Sequence, residues 1–316
     1  RDVTCYDPSA GSGTLLMNVA HAIGEDRCTI YTQDISQKSS NLLRLNLILN
    51  NLVHSIPNVI QGNTIYHPYH KDDDKLKKFD YIVSNPPFKL DFSDYRDALD
   101  SNENKERFFA GIPTIPKKEK ESMAIYQLFL QHIITSLKKG GKAAVVVPTG
   151  FITSTGIGKK IRQKLIDDKM LAGVVSMPSN IFATTGTNVS ILFIDDSNDG
   201  DVVLVDASNL GKKVKEGKTQ KTVLSADEEQ QIVNVFNNKQ QVDDLSVTVS
   251  YEDISLKNYS LSAGQYFEVK IEYTDITPKQ FAEKMQVFTD NLDSLFKQSH
   301  ELEDEIKKQL AELKYE

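Results

Sequence analysis

The sequence predicts an α/β protein built on a doubly wound, mostly parallel sheet of seven strands. Three observations carry that expectation. Short apolar runs suited to buried strands alternate with longer runs of helical period through the first two-thirds of the chain. The first strand meets the first helix through a glycine-rich turn, Pro8-Ser9-Ala10-Gly11-Ser12-Gly13. Four successive strands end in polar residues of the kind that hold ligands: Asp7, Asp34, Asn63 and Asn85. In open parallel sheets ligands bind along the carboxyl edge, so four such endings in a row point to a site there.

Residues 3–7 form the first strand, and the helix after the glycine turn runs to about Ala22. Gly11 and Gly13 permit a tight turn and close approach of backbone to a ligand. Leu16 stands where a dinucleotide G-x-G-x-x-G pattern needs its third glycine, which disfavours a nicotinamide cofactor. Residues 28–32 form the second strand, with Asp34 just past its end. That is about 20 residues after the turn, the spacing at which an acid reaches ribose hydroxyls. Asp34 also suits the cap of the next helix, though Ser36 could take that place. This helix covers 37–51, with Leu42, Leu45, Leu49 and Leu52 on one face. Residues 58–61 form the third strand, ending in Gly62-Asn63-Thr64. Residues 71–78 read as a solvated loop.

The fourth strand, from Phe79, stops at Asn85-Pro86-Pro87-Phe88. Two prolines without N–H groups end the ladder, and Pro86 holds Asn85 extended. Read alone, the tetrapeptide is either a ligand site or a turn whose Phe88 packs into the core. Residues 89–121, with Arg107, Phe108 and Phe109, read as a lid or a mobile segment. A helix over 123–138 is closed by Gly140-Gly141 as its C-cap. Strands follow at 143–147, 171–176 and 189–194, with a helix near 157–168 and a loop at 178–188 on the edge facing the site. Residues 202–205 suit another strand. Residues 211–221 hold five lysines against one glutamate and read as an exposed loop, solvated or touching a phosphate. Residues 225–239 look helical, and 240–272 irregular with short strands.

Thr277, Pro278 and Gln280 form a capping box that opens a long helix. Apolar residues recur at 281, 285, 288, 292, 295, 302, 306 and 313, a heptad seam. About 38 residues would span almost 60 Å, too long to bury that seam on this domain alone, so a partner chain is expected, the alternative being a helix folded back against the domain.

Composition narrows the function. Apolar content of 39% with 26% charged residues is ordinary for a soluble protein, and no apolar run approaches the roughly 20 residues of a membrane span. No secretory signal is seen. Cys5 and Cys28 fall in strands and read as buried free thiols of a cytoplasmic protein, and the histidines lack ligand spacing, so no metal site is expected. A net charge of −7 argues against a stand-alone nucleic-acid binder. The chain starts at Arg1 without methionine and enters a strand at once, as a fragment of a longer protein would.

An N-P-P-aromatic motif suits chemistry on an exocyclic amine. The Asn85 side-chain oxygen and the Pro86 carbonyl can accept both hydrogens of an NH2 group and free its lone pair. Phe88 offers a stacking face. A base in a duplex must be flipped out to reach such a site. The motifs DPSAGSG, QDIS, GNT and NPPF, in this order, resemble those of S-adenosylmethionine-dependent DNA adenine-N6 methyltransferases. Residues 7–206 resemble the modification (M) subunit of type I restriction-modification systems, including "LFLQHIITSLKKGGKAAVVVPTGFI" and "SMPSNIFATTGTNVSILFI".

The resemblance implies a methyltransferase domain over 1–206, an irregular extension over 207–276, and a subunit-contact helix over 277–316. It implies S-adenosyl-L-methionine held by Asp7, Ser9, Gly11, Gly13, Thr14, Asp34, Asn63 and Asn85, with Asp34 on the ribose and Asn63 near the cofactor adenine. Asn85, Pro86, Pro87 and Phe88 would act on the target adenine. The family pattern usually has an acid where Asn63 stands, and it places an N-terminal helical region and a cofactor-contacting segment before the glycine turn. Its partners are double-stranded DNA, a specificity (S) subunit, a second M subunit and a restriction (R) subunit. Methylation of a protein glutamine or an RNA base, and a cofactor-free structural subunit, are the alternatives.

Overall fold

The computed structural model describes residues 3–182, 186–217, 219–268 and 277–312. The chain divides into two compact units, Arg1–Phe267 and Glu268–Glu316. The first begins with β1 (Val3–Asp7), α1 (Thr14–Ile23), β2 (Cys28–Asp34), α2 (Gln37–Leu49) and β3 (Val59–Gln61). A short hairpin, β4 (Lys71–Asp72) and β5 (Lys75–Leu76), leads into β6 (Phe79–Ser84). Then come α3 (Arg96–Leu99), α4 (Tyr126–Thr135), β7 (Leu137–Pro148), α5 (Gly156–Asp167), β8 (Leu171–Ser176), β9 (Val189–Asp195) and β10 (Val202–Asp206). A second hairpin, β11 (Lys212–Glu216) and β12 (Thr219–Val223), precedes α6 (Ala226–Asn237), β13 (Ser246–Val249) and α7 (Tyr251–Leu256).

Nine strands form one sheet in the order β13-β10-β8-β9-β7-β6-β1-β2-β3, two more than the sequence predicts. The additions lie at one edge: β10 pairs parallel with β8, and β13 antiparallel with β10. Pairing is otherwise parallel from β3 across to β7. β9 runs antiparallel between β7 and β8. The chain leaves β1 through β2 and β3, then returns as β6 on the other side of β1. The crevice between β1 and β6 is therefore the switch point, where such sheets bind ligands.

The pleat sends alternate residues to opposite layers. Cys5 and Ile30 pack with Leu16, Ala20, Leu43 and Leu47 of α1 and α2. Tyr6 and Ile82 pack on the other face with Leu130 and Ile133 of α4 and Ile161 and Leu165 of α5. Each large aliphatic side chain so buried contributes about 1.5–3 kcal/mol. Both cysteines are buried and free.

Four local expectations are corrected. Leu42, Leu45 and Leu49 of α2 are exposed, and the helix instead seats Ser40, Leu43 and Leu47 on the sheet. The choice of stripe follows from a close fit, since a Cβ on Gly13 would lie 3.0 Å from Leu43 Cγ. Gly140 and Gly141 do not cap α4, which ends at Thr135. They lie inside β7, where the pairing shifts between Phe79 and Tyr81, and a Cβ on Gly141 would meet Phe79 O at 2.9 Å. Residues 212–223 are a hairpin rather than a loop. The stretch after Phe88 is not a loose lid, because Phe92, Leu99 and Phe108 close a cluster with Ile65, Met123 and Leu128.

The second unit is α8 (Pro278–Glu312), 35 residues and roughly 52 Å long. Thr277 N donates to Gln280 Oε1 (2.9 Å) and Gln280 N to Thr277 Oγ1 (3.3 Å), the expected capping box. Along the expected seam, Phe281, Met285, Phe288, Leu292, Leu295, Leu302 and Ile306 are all about half exposed or more. Leu313 lies outside the described residues. Among the described residues no helix is long and apolar enough to cross a membrane.

Candidate active site

The carboxyl edge brings the sequence-predicted residues together, with several hydrogen bonds tying neighbouring turns to one another. Asp7 ends β1 and is almost wholly buried. Its Oδ1 accepts from Ser9 N (2.9 Å), Ser9 Oγ (3.4 Å) and Ser84 Oγ (2.9 Å). Oδ2 has no donor among the described residues. Ser9 and Ser84 hydroxyls lie 2.8 Å apart, so the glycine turn is joined to the residue just before Asn85. Ser84 was not singled out by sequence; its signal was a small polar residue between the apolar run of β6 and the prolines.

Asp34 stands at the end of β2 and works on both of its neighbours. Its Oδ2 accepts from Gly11 N (2.9 Å) and its Oδ1 from Ser36 N (2.8 Å). Ser36, not Asp34, caps α2 by accepting from Ser39 N (3.2 Å). Gly11 and Gly13 have φ of +53° and +82°, which other residues adopt with strain. A Cβ on Gly11 would meet nothing within 4 Å, leaving open space over the turn. Thr14 opens α1, whose first turn has no side-chain cap, so its N–H groups remain available to an anion.

Asn63 follows β3. Its Oδ1 accepts from Ile65 N (3.1 Å) and Tyr66 N (3.0 Å), and two backbone donors identify that atom as the oxygen. Thr64 Oγ1 donates to Pro8 O (2.7 Å), locking this turn to the glycine turn. Gln33, buried in β2, supports the same segment through Nε2 to His67 O (2.8 Å) and Oε1 from Tyr69 N (3.0 Å).

Arg107, buried to 5% exposure, holds the Asn63 turn from behind. Nη2 donates to Thr64 O and Nη1 to Ile65 O, each at 2.7 Å. Nε donates to His132 Nδ1 at 3.0 Å. Because Arg Nε can only donate, Nδ1 is an acceptor and the neutral ring carries its proton on Nε2. That proton is shared with the Tyr6 hydroxyl at 3.1 Å. Burial and the Arg107 charge keep His132 well below the usual histidine range. Burial lowers Arg107 itself to about 10. The sequence marks Arg107 only as part of an expected lid.

Asn85 is exposed, and its amide has no hydrogen-bond partner among the described residues. Pro86 is buried, Pro87 exposed, and Phe88 half-buried with its ring edge-on to Tyr126, centroids 6.3 Å apart. Phe88 thus packs partly on the core, as a strand-ending turn would, while Asn85 does not.

Burial raises the Asp7 carboxyl from 3.8 to about 7, the nearby Asp34 adding to the rise and the Ser9 and Ser84 hydrogen bonds opposing it. The folded state therefore holds this proton more tightly than the unfolded chain does. The contribution is fully present below about pH 4 and is lost as pH rises through about 7. Denaturant unfolding from pH 4.5 to 8 is expected to show Asp7→Asn, which never ionises, gaining stability relative to the parent as pH rises. The relative gain should reach a few kcal/mol; a pH-independent difference contradicts the assignment.

Residues 1–275 match the family described as N-6 DNA Methylase. The chain belongs to that family. The methylase subunit of the type I restriction enzyme MpnII of Mycoplasma pneumoniae is 27% identical over 98% of this chain and 55% of its own length. The HindI methylase subunit of Haemophilus influenzae is also 27% identical, over 98% of this chain and 69% of its own. The crystal structure of a type I restriction-modification methyltransferase subunit from Streptococcus thermophilus superposes with a TM-score of 0.70 at 24% identity, covering 84% of this chain and 54% of that one. The chain thus spans little more than half the length of several relatives. The N-6 DNA methylase match covers both the glycine turn and the N-P-P-F strand end.

Proposed function

We propose that this chain is the catalytic part of a type I modification subunit and transfers a methyl group from S-adenosylmethionine to N6 of an adenine flipped out of double-stranded DNA. The observation that carries the reading is the free Asn85 amide at the switch point, joined through Ser84 to the Asp7 carboxylate and the glycine turn.

The residues present suit the cofactor. Gly11 leaves room above the turn, the uncapped start of α1 at Gly13 and Thr14 suits a carboxylate, and Asp7 offers an unpartnered oxygen to a cation. A cation there favours ionised Asp7, so binding near pH 7 releases a proton. Asp34, holding Gly11 N, keeps lone pairs for the ribose hydroxyls. Asn63 spends its oxygen on the Ile65 and Tyr66 amides and has only N–H left. It therefore donates to a ring nitrogen of the cofactor adenine, whereas an acid would accept from the 6-amino group.

S-adenosylmethionine supplies an electrophilic methyl group. The chain positions the acceptor. Asn85 Oδ1 and the Pro86 carbonyl accept the two hydrogens of the target amine, drawing its nitrogen toward tetrahedral geometry with the lone pair free. Phe88 braces the base. With the cofactor bound, the amine nitrogen held by Asn85 and Pro86 would accept its methyl group, and the proton released from the methylated amine would pass to water. No strong base is needed, so most of the acceleration comes from positioning.

Residues 1–206 would form the catalytic domain, 207–276 its extension, and α8 would seat its apolar seam on the specificity subunit, in a complex with a second modification subunit that a restriction subunit can join. The reading is tested by incubating the full-length protein and its specificity subunit with tritiated cofactor and duplex DNA. Label is expected in N6-methyladenine; label in cytosine, RNA or protein overturns it.

A further inference from the structure

Hairpin β11–β12 is the most basic feature of an acidic chain, and the chemistry above does not use it. Lys212, Lys213 and Lys215 are exposed, and Lys221 partly so. None of the four forms an ion pair among the described residues. Over residues 211–221 the ribbon carries five lysines against one glutamate, a concentration of positive charge within a net charge of −7.

The ribbon is also fixed in place. Thr222 is buried; its N donates to Asn180 O (3.0 Å) and its Oγ1 to Ser179 O (2.6 Å). Gly211 N donates to Glu228 Oε1 (2.8 Å), which pins the hairpin's base to the start of α6. Ser179 and Asn180 follow β8 at the carboxyl edge, the edge where β6 presents Asn85. In the sheet β8 is three strands from β6, across β7 and β9. At about 4.8 Å per strand that is roughly 14 Å, comparable with the ~12 Å width of the DNA major groove. The loop that anchors the ribbon and the strand end that presents Asn85 thus share one edge of the sheet.

We propose that Lys212, Lys213, Lys215 and Lys221 form a phosphate-backbone clamp for duplex DNA beside the target pocket, positioning the strand without reading its sequence. The proposal rests on the methyltransferase reading. It assigns this chain its own share of DNA grip, despite its acidic total. Phosphate-backbone pairing of this kind fixes register and is salt-dependent.

The test uses the full-length protein in complex with its specificity subunit and a labelled duplex at 50 to 200 mM salt. The triple variant Lys212→Gln, Lys213→Gln, Lys215→Gln is expected to lose at least tenfold in affinity at the low-salt end. Its slope of log affinity against log salt should flatten by about 0.9 for each phosphate no longer neutralised. S-adenosylmethionine affinity should stay within twofold, which also reports that the fold is intact. Lys71→Gln with Lys75→Gln, on the β4–β5 hairpin, is the control. An unchanged slope in the triple variant overturns the clamp, as does an equal loss in the control, which would be a net-charge effect. Failure of the underlying reading looks different: unsubstituted complex that puts no label in adenine.

Discussion

Asn85→Ala is expected to abolish methyl transfer to adenine while leaving S-adenosylmethionine affinity within about tenfold. Asn85 is exposed and has no protein partner among the described residues, so its removal leaves no buried group unsatisfied and the fold should be indifferent. Asn85 is one of eight proposed cofactor residues, and the others lie elsewhere along the edge, among them the glycine turn, Asp34 and Asn63. What would be lost is the acceptor proposed to hold the target amine together with the Pro86 carbonyl. Loss of a single oriented polar group in a preorganised site typically costs about 100- to 1,000-fold. Here the same group also aims the lone pair, so the loss should exceed that range. Single-turnover transfer alongside calorimetric cofactor binding checks both halves. A folded variant with undiminished transfer would remove Asn85 from the mechanism.

Arg107→Met should have the largest effect on stability. The substitution strands Thr64 O, Ile65 O and His132 Nδ1, all acceptors in a buried setting. Each costs about 1–3 kcal/mol unpaired. Relief of a buried cation, 4.6 Å from the Phe108 ring centroid and without a carboxylate among its hydrogen-bond partners, offsets part of that. A net loss of about 3–5 kcal/mol is expected, of a total that is seldom above about 15. Weaker cofactor binding should accompany it, because the Asn63 turn loses its support. Thermal unfolding with and without S-adenosylmethionine measures both, and a melting temperature within about 2 °C of the parent contradicts the assignment.

These two residues differ in how they could be read from the sequence. Asn85 lies in a local signature, a strand stopped by two prolines, and its context was legible within ten residues. The same holds for Asp7, Gly11, Gly13 and Asp34, whose turns are set by their immediate neighbours. Arg107 was not legible, because its partners at Thr64, Ile65 and His132 are far away in the chain and nothing local to "NKERFFAG" names them. The α2 stripe failed for a related reason. Both Leu42/Leu45/Leu49 and Leu43/Leu47 have helical spacing, and only the packing of Leu43 on Gly13 selects between them. Gly140-Gly141 resembled a helix cap because a strand irregularity and a cap both favour glycine; pairing with β6 decides it. The lysine-rich ribbon lacks the apolar alternation that marks strands, and it is anchored instead by Thr222 of β12 on the distant loop that follows β8.

The crevice between β1 and β6 also governs when the site can exist. Asp7 and Ser84 are 77 residues apart, and β6 is held on its other side by β7, which runs to Pro148. A chain emerging from the ribosome can pair β1 with β2 early, but that half carries Asp7 and Asp34 without Asn85. The amide-bearing strand docks only after a long loop has closed, the slow kind of step in folding. The candidate site is therefore incomplete until the segment from β1 to β7, which ends at Pro148, has been made and folded. A piece that ends before β6 carries Asp7 and Asp34 without Asn85.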